Sequence, residues 1–375
     1  MEQIIIGFVL SFAVGFYAVP VIITVAKQKQ LYDIPDERKI HTAPISSLGG
    51  LAIFVAFMTG LLISINTNTL IQGFQYYIAA FMVIFFFGIK DDILVLSPIK
   101  KVMGQMIVAC ILVFKANLVL TNMHGFLGIH AITYTSGCLL TIFTVVVIMN
   151  AYNLIDGVDG LAGTISVVTT TAFGIYFLIN NDIFYSVLAF TFTASVLSFL
   201  IYNYSPAKIF MGDTGAMLSG AVNAILVVHF ISTAKAAPIL PLEAAPAMGF
   251  GILLMPLLDT LRVFSLRMIH GRSPFFPDKN HLHHFLLERG FTHTQVTLII
   301  ATCSILFMLL TYFLLPIGVT WVILTQIVIF FTFIYAIYLS RPNRNKLATM
   351  RVIKSNFQNT DEEDISNDAK TFISK

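Results

Sequence analysis

The polar residues best suited to chemistry lie in a short segment, residues 150–160. Asp156 and Asp159 are three residues apart, each is followed directly by a glycine, and Asn153 precedes the first of them by three residues. The flanking segments 139–149 and 161–178 are almost entirely hydrocarbon. Ionisable groups between apolar stretches of this length lie at a membrane surface or in a polar cavity, and they are candidates for function.

The composition excludes an ordinary soluble globular domain. Mean hydropathy is +0.86, and only 11% of the residues are charged, whereas soluble domains carry about 25% charge. The net charge of +3 is too small to indicate a nucleic-acid partner. Cys110, Cys138 and Cys303 all lie in apolar segments without metal-like spacing, so we interpret them as small core residues.

Apolar segments of about 20 residues predict membrane-spanning helices. Eleven such segments occur, at about 3–26, 48–66, 74–90, 102–120, 131–149, 159–179, 183–202, 211–231, 246–266, 295–315 and 319–340. The first has no basic region or cleavage site before it, so we expect a retained span. Pro256 lies inside the ninth and predicts a kink. We therefore predict an all-α polytopic membrane domain over residues 1–340, followed by a polar tail, 341–375, disordered at its end.

Positive charge predicts the orientation of these spans. With eleven spans, alternate loops and the tail fall on one side, and that side collects 20 of the 22 Lys and Arg residues. Only Lys115 and Lys235 fall elsewhere. The positive-inside rule makes this side cytoplasmic, with the N-terminus outside and the C-terminus inside. The lipid bilayer is thus the first predicted partner.

Six aspartates, three histidines and one arginine are predicted to lie on the same side. They are Asp91, Asp92, Asp156, Asp159, Asp213 and Asp259, with Arg272, His281, His283 and His284. Mg²⁺ takes oxygen ligands, often one or two carboxylates plus substrate phosphates. A carboxylate and free backbone N–H groups at a helix start suit a metal–phosphate unit, and Lys or Arg would neutralise the remaining charge. This set suits phosphoryl transfer between a soluble nucleotide and a lipid phosphate at the membrane surface.

Each of these features also has a structural interpretation. Asp91 and Asp92 could be a solvated helix end, Asp156 and Asp159 turn residues, and Asp213 a helix N-cap. Asp259 and Arg262 could pair one turn apart, the histidines could be interfacial or bind zinc, and the pairs Lys100–Lys101 and Arg38–Lys39 could be topological markers. No single feature decides. Their joint position on one side favours a functional site.

The ordered series of motifs resembles the polyprenyl-phosphate N-acetylhexosamine-1-phosphate transferases, the group that contains WecA, TagO and MraY. The matching motifs cover most of the chain: Asp36-Glu-Arg-Lys-Ile-His41 with Leu48-Gly-Gly50; Asp91-Asp92 with Lys101-Val-Met-Gly-Gln105; Asn153-Leu-Ile-Asp-Gly-Val-Asp-Gly-Leu161; Asn203 with Pro206-Ala207 and Phe210-Met-Gly-Asp213; Pro256-Leu-Leu-Asp-Thr-Leu-Arg262; and Arg272-Ser-Pro-Phe-Phe-Pro-Asp278 leading to His281-Leu-His-His284. Eleven spans and the spacing of the histidines resemble the WecA/TagO branch, because the muramyl-pentapeptide branch typically has ten spans and three consecutive histidines.

The resemblance implies transfer of N-acetylhexosamine-1-phosphate from a UDP-sugar to a polyprenyl phosphate, with release of UMP. It implies UDP-GlcNAc as donor, undecaprenyl phosphate as acceptor, and Mg²⁺, or alternatively Mn²⁺, as cofactor. The enzyme would act at the cytoplasmic face of the cell's inner membrane in the synthesis of an envelope polysaccharide such as lipopolysaccharide. Another UDP-amino-sugar or UDP-MurNAc-pentapeptide is an alternative donor, and a homodimer is one possible assembly.

The resemblance also implies roles for individual residues. Asp213 matches a metal ligand, for which Asp92 and Asp156 are further candidates. Asp91 and Asp92 match a pair assigned to metal binding or to deprotonation of the lipid phosphate. The nucleotide pocket matches Asn153, Asp156, Asp159, Asn203 and Phe210, with Phe210 against the uracil. The donor-binding loop matches Arg272, His281, His283 and His284, with His281 among the catalytic candidates. Polar positions near the substrate entrance match Lys101, Arg38, Lys39 and His41.

Two mechanisms and two other classes of protein remain open from the sequence. We expect direct attack of the lipid phosphate on the β-phosphorus of the donor, with Asp91 as proton acceptor; the alternative is a two-step route through an aspartyl-phosphate. A transporter would place charges near the membrane midplane, often in inverted repeats, and this chain shows no repeat. A scaffold that only binds polyprenyl lipids would not need the acid–histidine set.

Overall fold

The computed structural model describes residues 1–31, 45–66, 69–234, 242–273 and 280–339. Three predicted substrate-binding residues, Arg38, Lys39 and His41, lie outside these ranges, as does the predicted tail. Residues 1–330 form one compact unit. The second unit, 331–375, is described only for its helical residues 331–339.

The described chain is built from α-helices. They are α1 (Glu2–Lys29), α2 (Gly49–Ser64), α3 (Phe74–Leu94), α4 (Pro98–Cys110), α5 (Tyr134–Ile155), α6 (Leu161–Ile179), α7 (Ile183–Asn203), α8 (Gly212–Ser232), α9 (Ala245–Ile252), α10 (Leu254–Ile269), α11 (Leu282–Leu287), α12 (His293–Leu314) and α13 (Val319–Leu339). A π-helical segment, Ile111–Lys115, continues α4, and short 3₁₀ turns precede α9 and follow α12.

The all-α polytopic membrane class is confirmed. Seven of the described helices are long and apolar enough to cross a membrane, and the α9–α10 pair would make an eighth span. The remaining predicted spans also fall on helices, but α2 has only 16 residues and α3 carries Lys90, Asp91 and Asp92 near its C-terminus. The number of eleven spans and their orientation stay predictions.

The fifth predicted span ended too early. Hydropathy ended it at residue 149, whereas α5 continues to Ile155 and therefore carries Asn150 and Asn153 on helical turns. Thr133 begins the helix, because its side-chain oxygen accepts a hydrogen bond from the backbone of Ser136. A hydropathy window marks the apolar part of a helix, but the backbone hydrogen bonds extend beyond it into the polar end.

The predicted kink in the ninth span is confirmed. α9 and α10 are bent by 75° at Leu253, three residues before Pro256. Proline has no N–H to donate to the carbonyl four residues back, here Ile252, and its ring collides with that carbonyl. The helix therefore breaks immediately after Ile252.

A short antiparallel hairpin departs from the all-α prediction. Strands β1 (Asn122–Phe126) and β2 (Ile129–Ala131) are joined by Leu127 and Gly128, which both have positive φ. Two consecutive positive φ values form the turn that matches strand twist. Leucine rarely adopts this conformation, so the turn had no clear signature in the sequence.

Helices α7 and α8 are the most deeply buried of the spanning helices. The start of α8 packs very closely against α2 and α3 through small residues. A Cβ on Gly88 of α3 would lie 2.5 Å from the Cα of Thr214, and one on Gly50 of α2 would overlap the backbone of Gly215. Small residues allow such approaches between membrane helices. The polar start of α8 is thereby held between its neighbours.

Candidate active site

One polar cavity of about 360 Å³ lies where several helix ends meet. It is formed by the ends of α3, α5 and α7, the start of α8, and the loop between α5 and α6. Its lining residues are Ser47, Asp91, Asp92, Val95, Asn153, Asp156, Gly157, Val158, Asp159, Asn203, Phe210, Gly212 and Asp213. The structure therefore brings together five aspartates, both asparagines and the phenylalanine that the sequence singled out.

Asp213 lies in the first turn of α8, where its carboxylate contacts the ammonium group of Lys101 and the side-chain amide of Asn153. Lys101 Nζ donates to Asp213 Oδ1 at 3.1 Å, and Asn153 Nδ2 donates to the same oxygen. Lys101 Nζ also lies 2.6 Å from Asp91 Oδ2. The lysine of α4 thus bridges carboxylates from α3 and α8. Asp213 keeps a quarter of its side chain exposed, so it is still accessible from the cavity.

Asp91 and Asp92 are adjacent in sequence but have different partners. Asp91 is buried, and its Oδ1 accepts a hydrogen bond from the backbone of Leu96 at 2.6 Å in addition to the Lys101 ion pair. Asp92 faces α8 and accepts hydrogen bonds from the first turn of that helix. Successive residues on a helix point about 100° apart, so the two carboxylates have different neighbours.

Asp156 follows the last residue of α5, in the loop to α6. Among the described residues, none donates a hydrogen bond to its carboxylate. Burial, together with repulsion by Asp213, Asp92 and Asp159, raises the pKa of Asp156 to about 8. A carboxylate surrounded by other carboxylates is stabilised by a bound cation. A cation bound beside Asp156 would therefore stabilise its ionised form.

Asp159 and Asn203 are engaged mainly in shaping the loop. Asp159 Oδ2 accepts from the backbone of Ala207 at 3.3 Å, and its Oδ1 lies 3.2 Å from His293 Nδ1. Asn203 accepts from the backbone of Gly160 at 2.9 Å and donates to the carbonyl of Ile209 at 2.8 Å. Both side chains line the cavity, but these contacts fix the backbone of the loops on either side of it.

His293 and Thr297 of α12 were missed by the sequence analysis. Thr297 donates to the carbonyl oxygen of Asp159 at 2.9 Å. Thr297 and His293, both in α12, therefore support the loop between α5 and α6. A signal for His293 was present, since Thr292 and Gln295 form a reciprocal capping box at the start of α12. That box places His293 at the first turn of a helix whose start is on the predicted polar side.

The predicted histidines lie beside the cavity and do not line it in the described structure. His281 Nδ1 is 2.9 Å from Asp259 Oδ2, and Arg262 donates to Asp259 Oδ1 at 2.8 Å. The Asp259–Arg262 pair expected from spacing is therefore present, with His281 as its third member. Arg272 and His284 are also absent from the cavity lining.

His283 connects the histidine loop to the cavity wall. It is buried, and its ring packs so closely on the loop that a Cβ on Gly157 would overlap it. The His281 and His283 rings lie parallel with centroids 5.6 Å apart. Burial, together with the neighbouring His284 and His281, lowers the pKa of His283 to about 3. His283 is therefore a neutral packing residue at physiological pH.

The donor set around the cavity fits a hard divalent cation. The side-chain groups of Asp92, Asp156, Asp213 and Asn153 offer oxygen atoms, which Mg²⁺ prefers. In the described ranges no three His, Cys, Asp or Glu side chains form a ready metal cage. Mg²⁺ is typically held by one or two carboxylates plus substrate phosphates and water, so a partial set of ligands is what such a site requires.

Comparisons with known proteins find relatives over most of the chain. The family model "Glycosyl transferase family 4" matches residues 74–231, which contain most of the cavity lining. A decaprenyl-phosphate N-acetylglucosaminephosphotransferase of Mycobacterium leprae is 33% identical over 313 residues, 76% of this chain and 77% of that protein. Undecaprenyl-phosphate alpha-N-acetylglucosaminyl 1-phosphate transferases are 30% identical in Yersinia pestis, over 81% of each chain, and 29% identical in Escherichia coli K12, over 75% of this chain and 76% of that one.

A multi-pass helical membrane protein with this acidic cavity and these relatives is a phosphotransferase enzyme. The chain belongs to the polyprenyl-phosphate N-acetylhexosamine-1-phosphate transferase family, as the ordered motifs indicated.

Proposed function

We propose that this enzyme transfers N-acetylglucosamine-1-phosphate from UDP-GlcNAc to undecaprenyl phosphate and releases UMP. The product would be a lipid-linked diphosphate sugar, the starting unit of a cell-envelope polysaccharide such as lipopolysaccharide. The observation that carries the proposal is the arrangement at the start of α8. There Asp213 meets Lys101 and Asn153 at the edge of a cavity with five aspartates.

The proposed reaction is an exchange at one phosphorus atom. An oxygen of the lipid phosphate forms a bond to the β-phosphorus of the donor, and the bond from that phosphorus to the bridging oxygen breaks. UMP leaves with the electron pair of the broken bond. Charge neutralisation and positioning supply most of the catalysis in reactions of this kind, so the groups that hold the diphosphate matter more than a strong base.

Lys101 and the start of α8 are the proposed diphosphate-binding elements. The ammonium group of Lys101 lies between Asp91 and Asp213, within reach of a phosphate that binds beside them. The dipole of α8 adds positive potential at its N-terminus, where the N–H groups of Asp213 and Thr214 are already bonded to Asp92. Asn153 fixes the orientation of Asp213 through the hydrogen bond to Oδ1.

Asp91 is the proposed proton acceptor for the lipid phosphate. The second pKa of a phosphate ester is near 6, so most of the acceptor is fully ionised at neutral pH. We therefore expect only a modest contribution from a base. Phe210, in the cavity lining, is the proposed stacking partner of the uracil, and Asp156 and Asp159 border the same nucleotide pocket.

Mg²⁺, with Mn²⁺ as a substitute, is the proposed cofactor, and Asp213 and Asp156 are the proposed residues that would hold it. Bound there, a divalent cation would neutralise charge on the donor diphosphate. We also propose that the cavity faces the cytoplasm, because 20 of the 22 Lys and Arg residues fall on the predicted cytoplasmic side. A nucleotide-sugar from the cytoplasm would then reach the site directly.

The test is reconstitution with purified protein, undecaprenyl phosphate, Mg²⁺ and a panel of UDP-sugars. We expect equal amounts of UMP and lipid-diphosphate sugar, with UDP-GlcNAc as the best donor. Preference for another UDP-amino-sugar would change the substrate but keep the reaction. Release of UMP without the lipid, or no release with any donor, would contradict the proposal. A phosphorylated aspartate trapped with the donor alone would replace direct attack by the two-step route.

A further inference from the structure

Asp92 binds the start of α8 through both oxygens of its carboxylate. Its Oδ1 accepts from the backbone N–H of Asp213 at 2.7 Å. Its Oδ2 accepts from the backbone N–H of Thr214 at 3.2 Å and from the Thr214 hydroxyl at 2.5 Å. The first N–H groups of a helix have no partner within the helix, and Asp92 supplies that partner from α3.

The local sequence of α8 does not cap the helix by itself. Met211 occupies the N-cap position and makes no side-chain capping hydrogen bond. Asp or Asn at this position normally accepts those bonds. The carboxylate of Asp92 takes over this role across the helix–helix interface, and the helix dipole favours its negative charge there.

The backbone around Asp92 is shaped to receive this contact. Gly212 has φ of +69°, and a Cβ on it would lie 2.6 Å from Asp92 Oδ1 and overlap the carbonyl oxygen of Ser47. Gly88, one helical turn before Asp92, lets α3 approach the backbone of Thr214. Residues four apart lie on the same face of a helix, so Gly88 and Asp92 form one continuous contact with α8.

These contacts leave Asp92 little capacity to bind anything else. A carboxylate has two oxygens with about four acceptor sites, and three of them are used by Asp213 and Thr214. Asp92 lines the cavity as Asp213 and Asp156 do, but both of its oxygens are already engaged by α8. Asp213 is also the residue whose backbone Asp92 holds, so the position of its carboxylate depends on Asp92.

We propose that Asp92 is a positioning residue, which caps α8 from α3 and thereby fixes Asp213, and that it does not supply an oxygen ligand to the metal. This inference rests on the proposed function, since it assigns roles within that site. It separates the two adjacent aspartates: Asp91 works with Lys101, and Asp92 works through Asp213. It also removes Asp92 from the three metal ligands expected from the sequence.

The test compares Asp92→Asn, Thr214→Val and Asp213→Asn in detergent-purified protein. Asn in place of Asp92 keeps one acceptor oxygen, but its amide group cannot accept from Thr214. We expect kcat to fall about 10-fold in Asp92→Asn and several-fold in Thr214→Val, while the Mn²⁺ concentration for half-maximal activity stays within about twofold of the wild type. Asp213→Asn should raise that concentration by at least about 10-fold.

Two further measurements do not depend on turnover. Binding of Mn²⁺ in the presence of UDP, followed by electron paramagnetic resonance, should weaken by no more than about twofold in Asp92→Asn and Thr214→Val and be lost in Asp213→Asn. The thermal midpoint without metal should fall in the first two variants, because each removes a cap of α8. The double variant Asp92→Asn/Thr214→Val should be no worse than Asp92→Asn alone, since both changes break one interaction.

Loss of Mn²⁺ binding in Asp92→Asn, or a thermal midpoint unchanged in both capping variants, would overturn the inference. Thr214→Val leaves the carboxylate intact, so it decides the outcome even if Asp92→Asn does not fold: unchanged kcat and midpoint in Thr214→Val would also overturn it. Failure of the proposed function is distinguishable, because it would appear as no UMP release by the wild type, while the thermal measurements would still report on the cap.

Discussion

The two ends of α8 hold charged residues in opposite ways. At its start, Asp213 faces a cavity with four other aspartates, and Lys101 is the cation that bridges two of them. Near its other end, 16 residues and about 24 Å away by helix rise, His229 Nε2 pairs with Asp182 Oδ2 at 2.7 Å. One end has an excess of carboxylates and the other a matched pair.

Aromatic side chains pack around the Asp182–His229 pair at the C-terminal end of α8. The ring of Tyr185 stacks on His229 with centroids 3.3 Å apart, and the Tyr185 hydroxyl is 2.8 Å from that of Tyr77. This polar cluster is satisfied by its own members. The cavity end retains negative charge that its own residues do not balance, and such an excess indicates a binding site, because an uncompensated buried charge is costly unless a ligand compensates it.

The largest expected effect is at the cavity end, in Asp213→Ala. We expect turnover to fall roughly 10³-fold or more, because the variant removes the carboxylate that faces both Lys101 and the proposed cation. UMP release measures turnover, and the thermal midpoint should stay close to that of the wild type. Ordinary turnover in this variant would remove Asp213 from the site.

Replacement of the bridging cation should have the next largest effect. Lys101→Met leaves Asp91 and Asp213 without their common partner, and the proposed diphosphate loses a positive charge. We expect kcat/KM for UDP-GlcNAc to fall about 10²-fold. Lys100→Met is the matched control, since Lys100 is the adjacent, exposed lysine; an equal loss in both variants would argue against a specific role for Lys101.

The buried histidine beside the cavity should make stability depend on pH. Burial and the neighbouring histidines lower the pKa of His283 to about 3, below the value of about 6.5 in an unfolded chain. The unfolded state therefore binds a proton that the folded state does not, and stability falls as the pH drops from about 6.5 towards 3. In His283→Asn the thermal midpoint should fall less between pH 7 and pH 5 than in the wild type. Parallel curves for the two proteins would contradict this assignment.

The smallest effect on activity should come from the far end. Asp182→Asn breaks an aspartate–histidine pair like that of Asp259 and His281, but it does so away from the cavity. We expect turnover within about twofold of the wild type and a modestly lower thermal midpoint. A large loss of turnover with an unchanged midpoint would mean that the two ends of α8 are functionally coupled.

The sequence predicted much of the fold because a membrane restricts the choices. Apolar segments of spanning length must be helical there, and Pro256 predicted the break after Ile252 for a local steric reason. The hairpin at 122–131 was missed because Leu127 adopts a rare conformation that only its surroundings stabilise. The end of α5 at Ile155 was missed because hydropathy does not report where backbone hydrogen bonds stop.

Residue types and spacing, by themselves, determined which aspartates and asparagines belong together and which family they resemble. Only the tertiary structure showed which partner each of these aspartates has. Asp91 pairs with Lys101, Asp92 binds the start of α8, and Asp159 holds the loop to α12. The physical reason is that a carboxylate can bind a cation, cap a helix or brace a loop equally well, and the neighbours that select among these uses come from helices distant in the chain.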